Sequence, residues 1–217
     1  RGPAWRSVDR TLPRPLCGAS RTLDAGGGFK ACRAACWGGV ATREVTPTVP
    51  SGFEMVRGIL ATTGGKTSIG VGTVWDPGAV EEAKDAGAYF IVTPVLLPDV
   101  AEACRKEGLL CVMSALTPSE IYQARLAGAA LVKVFPITPV GGLEYIRALN
   151  GPMGGVPYWV SGGVEIGQVA DYIRLGVRVV GLTSALFSDE VLAHKDWDAI
   201  RRKAERAAEA AASARGD

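Results

Sequence analysis

The stretch Ala88–Phe135, AYFIVTPVLLPDVAEACRKEGLLCVMSALTPSEIYQARLAGAALVKVF, decides how the chain folds. It holds three apolar runs, Ala88–Thr93, Leu109–Met113 and Ala130–Phe135, separated by two charged, alanine-containing stretches, Pro98–Glu107 and Pro118–Ala127. Short apolar runs bounded by turn residues read as strands buried on both faces, and the longer charged stretches read as the helices that cover them. Strand, helix and strand in alternation specify parallel βαβ units. The punctuation agrees. Pro98 and Pro118 stand where a helix begins and its first N–H has no helical partner. Thr117-Pro118-Ser119-Glu120 has the spacing of a capping box, and Gly108 and Gly128 stand where a helix ends in a left-handed residue.

The same alternation extends in both directions. Further strands are expected at Leu16–Ser20, Val40–Thr46, Thr67–Thr73, Val156–Ser161 and Val177–Leu182. Further helices are expected at Asp24–Trp37, Gly52–Thr63, Pro77–Ala86, Gly142–Leu149, Ile166–Leu175 and Trp197–Ala212. Asp76-Pro77 supplies another N-cap, and Gly39, Gly87 and Gly176 supply further helix ends. Eight βα units predict a single-domain α/β chain closed into a (β/α)8 TIM barrel, slightly below the usual ~250 residues. A doubly wound open sheet is the competing architecture. The barrel is expected over residues 16–212, preceded by an irregular extension at residues 1–15 and followed by a frayed tail at 213–217. The last helix places Trp197, Ile200 and Ala204 at helical spacing, which reads as packing on the outside of the barrel. The alanine-rich Ala207–Arg215 is expected to fray.

Composition removes several function classes. The 217 residues are 47% hydrophobic, and 24 Lys+Arg stand against 22 Asp+Glu, so no strong field is available to hold a nucleic-acid backbone. No apolar run approaches the ~20 residues of a membrane helix, so no membrane span is expected. The single histidine, His194, excludes multi-histidine metal sites. Cys17, Cys32, Cys36, Cys104 and Cys111 show no paired CxxC spacing and read as free thiols in a reducing compartment. Arg1–Pro15 carries four arginines and one acid, Asp9, which resembles the remnant of an organelle transit segment and equally a basic extension at a processing boundary. A soluble protein of the plastid stroma or the cytoplasm is the expectation.

In such a barrel the active site lies at the C-terminal ends of the strands. The polar residues ending the apolar runs are Arg21, Glu44, Thr73, Thr93, Lys133, Ser161 and Ser184. Lys133 lies within an apolar strand, where a lone ammonium is costly to bury. Desolvation there favours the neutral amine, a nucleophile toward carbonyls. The bland alternative is a lysine that snorkels to solvent. Glu44, in Thr42-Arg43-Glu44-Val45-Thr46, is the matching carboxylate at the end of the second strand, placed to move protons or to form an ion pair with Lys133 or Arg21. Ser161-Gly162-Gly163 after strand seven and Gly181-Leu182-Thr183-Ser184 after strand eight stand where barrels commonly hold phosphate.

Gly38-Gly39-Val40, Glu44-Val45-Thr46, Gly70-Val71-Gly72-Thr73-Val74, Val92-Thr93-Pro94, Thr117-Pro118-Ser119-Glu120, Lys133-Val134-Phe135-Pro136, Gly141-Gly142 and Ser161-Gly162-Gly163-Val164 follow one another in an order that resembles the 2-keto-3-deoxy-6-phosphogluconate (KDPG) and 4-hydroxy-2-oxoglutarate aldolase family. The resemblance implies a class I aldolase that is usually a homotrimer and needs neither metal nor another cofactor. Its small-molecule partners would be a keto acid and an aldehyde: a phosphorylated 2-keto-3-deoxy sugar acid split into pyruvate and glyceraldehyde 3-phosphate. By the same resemblance Lys133 would form the Schiff base and Glu44 would shuttle protons. Thr73 and Gly72 would face the pyruvyl carboxylate, with Thr93 and Pro94 beside the substrate and Phe135 near the imine. Ser161, Gly162, Gly163 and Ser184 would surround the phosphate or distal hydroxyls.

Three positions depart from that pattern. Thr48 stands where the family usually carries an arginine that clamps the pyruvate carboxylate, so Arg21 or Arg43 must compensate or carboxylate binding is weak. Met113-Ser114 replaces a Pro-Gly, and Thr183 replaces a glycine before Ser184. Two other readings therefore stand beside the phosphorylated-substrate aldolase. One is a weak or inactive aldolase-fold subunit or scaffold of a larger assembly. The other is a pyruvate-dependent aldolase acting on an unphosphorylated acid.

Overall fold

The structure, a computed structural model, describes Leu12 and residues 15–20, 25–46 and 52–216. Eight strands, β1 (Leu16–Ser20), β2 (Thr42–Val45), β3 (Ser68–Gly72), β4 (Phe90–Thr93), β5 (Leu110–Ala115), β6 (Leu131–Val134), β7 (Tyr158–Val160) and β8 (Val179–Leu182), pair in sequence order into a closed barrel. Every pairing is parallel, and the closing contact sets Cys17 of β1 against Gly181 of β8. The open-sheet alternative is thereby excluded. The helices are α1 (Ala25–Trp37), α2 (Gly52–Thr63), α3 (Ala79–Asp85), α4 (Pro98–Glu107), α5 (Pro118–Leu126), α6 (Leu143–Met153), α7 (Val169–Arg174), α8 (Asp189–Ala193) and α9 (Trp197–Arg215).

Alternation along the strands divides the core into two layers, because successive side chains of a strand point to opposite faces. Cys17, Phe90, Val92, Val112, Leu131, Trp159 and Val179 fill the lumen, with Leu12 packed among them. Ile69, Ile91, Met113, Val132, Tyr158, Val160 and Val180 face the helices and build the larger outer layer. Two residues further along the inward face the chemistry changes. Leu131 is followed by Lys133, Val112 by Ser114 and Trp159 by Ser161, so the apolar plug gives way to a polar floor at the C-terminal end.

The local signals behave as their chemistry requires. Thr117 accepts from the Glu120 N–H at 3.3 Å, and Glu120 accepts from the Thr117 N–H at 2.8 Å and the Leu116 N–H at 2.9 Å, which completes the capping box. Those two backbone donors hold the Glu120 carboxyl below its usual value. Gly39, Gly87, Gly108, Gly128 and Gly176 all have positive φ, the conformation that ends a helix at least cost to glycine.

Several expected boundaries move. The helix expected from Pro77 begins at Ala79, because the Asp76 carboxylate accepts from the Gly78 N–H at 2.7 Å and holds Asp76-Pro77-Gly78 in a turn. The helix expected to end at Leu149 continues to Met153, and Ile166–Leu175 divides into a 3-10 turn, Ile166–Gln168, followed by α7. Helix α8 was not foreseen. The fraying expected over Ala207–Arg215 is contradicted: α9 runs to Arg215, with Ile200, Ala204, Ala207 and Ala211 buried as one stripe. That stripe packs α9 against α1 and α7, and tertiary burial holds a segment that composition alone would leave loose.

No helix among the described residues is long and apolar enough to cross a membrane. No group of three or more His, Cys, Asp or Glu among them gathers to hold a metal ion. The five cysteines are free.

The capping box gives a stability test. Thr117→Ala removes one of its two arms and is expected to cost about 0.5–2 kcal/mol, lowering Tm by about 2–4 °C per kcal/mol. Thermal unfolding followed by circular dichroism measures it, and an unchanged Tm would show the cap to be inert.

Candidate active site

Strands β2 and β6 are four apart in the eight-stranded barrel and so face one another across the lumen. Glu44 extends inward from β2 and Lys133 from β6, and they meet: Lys133 Nζ donates to Glu44 Oε2 at 2.9 Å and to Oε1 at 3.1 Å. The residues are 7% and 8% exposed, so the pair is removed from bulk water and opens only toward the barrel mouth. Lys133 does not snorkel away from the barrel. The contact is the Glu44–Lys133 ion pair that the sequence left open, a forked pair in which one hydrogen bond separates the amine from a proton acceptor.

Above the pair lies a cavity of about 430 Å³. Glu44, Thr73, Thr93, Pro94, Lys133, Phe135, Ser161 and Ser184 line it, so most of the residues singled out from the sequence come together. Lys133 Nζ lies 5.6 Å from the ring centroids of both Phe135 and Trp159, a cation held over two aromatic faces. The Thr93 hydroxyl donates to the Val95 carbonyl at 2.6 Å, fixing the turn that presents Pro94. Thr73 has φ +61°, a left-handed conformation that a β-branched residue rarely adopts and that costs about 1–3 kcal/mol. The strain places this residue at the cavity wall.

Other expected residues take different places. Gly72 does not line the cavity; a side-chain carbon there would lie 2.2 Å from Glu44 Oε1, so its role is to leave room for that carboxylate. Gly181 in β8 likewise cedes space to Trp159 and Ser161. A side-chain carbon at Gly162 would run into Pro136 and Phe135 and one at Gly163 into Thr138, and both have positive φ, so the turn after β7 requires glycine at both positions. Arg43 neighbours Glu44 in the strand and so points the other way, out of the lumen. It is fully buried, with its guanidinium 4.7 Å from the Phe187 ring centroid and beside the Cys32 thiol. Arg43 therefore does not clamp a carboxylate in the cavity and reaches it only through Phe187, which forms part of the wall. Arg21 and Thr48 lie outside the described residues.

Sequence reading missed Trp159, Phe187, Asp189 and Leu192. Trp159 was accessible to it, since Ser161 faces inward and the residue two before it must do the same. The other three belong to the connection after β8 and to α8, where no periodicity marks them. Cys17 lies below Glu44. Burial pushes its thiol well above the usual value, and the carboxylate adds in the same direction, so it stays a neutral thiol.

A lysine hydrogen-bonded to a carboxylate at the floor of a cavity, with hydroxyls and aromatic rings around them, is an arrangement that can support carbonyl chemistry. The KDPG and KHG aldolase family model matches residues 28–203. The chain belongs to the KDPG and KHG aldolase family. It is 30% identical over 176 residues, 81% of each chain, to the 2-dehydro-3-deoxy-phosphogluconate aldolase of Pseudoalteromonas atlantica. It is also 30% identical over 151 residues, 69% of this chain and 70% of the relative, to a probable 2-dehydro-3-deoxy-6-phosphogalactonate aldolase of Rhizobium meliloti. Its fold matches that of the KDPG aldolase of Legionella pneumophila, in which pyruvate was captured as a covalent carbinolamine intermediate. The TM-score is 0.80, over 90% of this chain and 94% of that one, at 23% identity.

The space beside Glu44 can be tested. Gly72→Ala forces a carbon into the carboxylate and is expected to lower the unfolding free energy by about 1–3 kcal/mol. Urea denaturation measures it. A change below about 0.5 kcal/mol would show that the carboxylate has room to move.

Proposed function

We propose that the chain is a class I aldolase that splits a 2-keto-3-deoxy sugar acid into pyruvate and an aldehyde through an imine on Lys133. The observation that carries this reading is the forked contact between Lys133 Nζ and the Glu44 carboxylate at the cavity floor. Membership of a family of carbon–carbon lyases supports it.

The steps follow from that contact. Glu44 takes a proton from the ammonium, and the freed amine adds to the C2 carbonyl of the substrate, whose oxygen takes up a proton to give a carbinolamine. Glu44 returns a proton to the C2 hydroxyl, which leaves as water, and the nitrogen lone pair closes the protonated imine. Removal of the proton from the C4 hydroxyl then breaks the C3–C4 bond. Its electron pair moves onto C3 and is delocalised toward the imine nitrogen as an enamine, while C4 leaves as the aldehyde carbonyl. Protonation at C3 and addition of water to the imine release pyruvate and restore the amine. Because the imine accepts the electron pair, the route needs no Lewis acid. Phe135 and Trp159 stack about the developing cation.

Incubation with pyruvate and borohydride is expected to fix one pyruvyl unit per chain, on Lys133, and Lys133→Met is expected to abolish it. Intact-mass and peptide analysis read the outcome. Labelling spread over exposed lysines, or no label, would contradict the proposal and favour the scaffold reading that Thr48 suggests. Glu44→Gln is expected to lower turnover by about 10²–10⁴-fold with little change in KM, whereas a raised KM at unchanged turnover would make Glu44 a binding group only.

A further inference from the structure

One hydroxyl at the cavity has no part in the steps above. Ser114 lies inside β5 and lines the cavity, although only 3% of the residue is exposed. Val112, two residues before it on the same face, belongs to the apolar plug of the lumen, so Ser114 points inward one step nearer the mouth. The strand register sets it directly beside Lys133 of β6, and both side chains face the cavity.

The other hydroxyls of the cavity are placed or used differently. That of Thr93 donates to the Val95 carbonyl. Thr46, Thr73, Ser161, Thr183 and Ser184 lie beyond the ends of their strands. Ser114 is the one cavity hydroxyl among the described residues that a strand holds and that no hydrogen bond to another described residue engages. A nine-tenths buried serine within an apolar run is costly unless its donor has a use, and the cavity is the one place this donor faces. Ser114 also stands where the sequence departs from the family pattern, so the hydroxyl is a feature of this chain.

Amine addition creates the need for such a donor. As Lys133 Nζ bonds to C2, the carbonyl π pair moves onto the oxygen. The resulting alkoxide stays charged until it gains a proton in exchange for the one that the nitrogen gives up. Glu44 approaches the nitrogen from β2, across the lumen, while Ser114 stands beside it on β5. A hydroxyl can donate to an alkoxide and remain intact, so the serine neither gains nor loses a proton over the step. We propose that Ser114 is a further catalytic residue, whose hydroxyl donates a hydrogen bond to the C2 oxygen and stabilises the alkoxide as the carbinolamine forms. The proposal deepens the aldolase reading and rests on it.

The test follows imine formation itself. Wild type, Ser114→Ala and Ser114→Thr are mixed rapidly with saturating pyruvate, quenched with borohydride at a series of times and read by intact mass, with Tm measured on each. Ser114→Ala is expected to form the adduct about 10- to 100-fold more slowly, yet to reach the wild-type extent at an unchanged Tm. A bond stronger to the passing alkoxide than to the imine changes the rate and not the end point. Ser114→Thr, which keeps the hydroxyl, is expected to recover most of the rate. An unchanged rate in Ser114→Ala, a final extent or Tm that falls with the rate, or a Ser114→Thr as slow as Ser114→Ala overturns the proposal, and the wild-type adduct then still supports the aldolase reading. A wild-type protein that forms no adduct overturns both.

Discussion

An ammonium and a carboxylate that meet across the barrel lumen set the terms for everything around them. An isolated charge at the position of Lys133 or Glu44 would lose most of its hydration without return, and only a close, forked partner makes two such charges tolerable together. The pair bridges β2 and β6, residues 89 apart in sequence, so it requires the closed barrel. It also requires empty space. Gly72 has no side chain because the Glu44 carboxylate occupies the volume one would fill, and Gly181 is bare because Trp159 and Ser161 reach into it. The apolar plug of Phe90, Leu131 and Trp159 beneath keeps water from entering from the other end.

The same constraint connects stability to chemistry. A pair this close needs little motion for a proton to cross from nitrogen to oxygen, the first event of the proposed imine formation. In that proposal Glu44, released when Lys133 forms the imine, serves the later proton transfers in the same place. The strained backbone of Thr73 belongs to the same economy of the site, since its left-handed conformation is held by the folded barrel and sets the residue at the cavity wall.

Much of this was legible in the sequence. Eight apolar runs with a capping box, helix-opening prolines and helix-ending glycines specify a barrel, and charges within two of the runs mark Lys133 and Glu44. The closeness of Gly72 to Glu44 and of Gly163 to Thr138 was not legible, because a glycine announces that space or φ is needed without saying which neighbour needs it. The distinction between Arg43 and Glu44 follows from strand alternation, which sends adjacent residues to opposite faces. Asp189 and Phe187 escaped because they follow a strand in a connection whose path depends on tertiary packing. The end of α9 escaped because alanine composition suggests fraying, while the burial of Ala207 and Ala211 against α1 and α7 is decided by the rest of the fold.

A double-mutant cycle on unfolding free energy tests the central claim most directly, using Lys133→Met, Glu44→Gln and the two combined, in urea at neutral pH. If the buried pair organises the site, each single change leaves a partner unpaired and the double variant loses less stability than the sum, by about 0.5–3 kcal/mol. Single effects that add to within about 0.3–0.5 kcal/mol would show that the two charges are independent and would contradict the account.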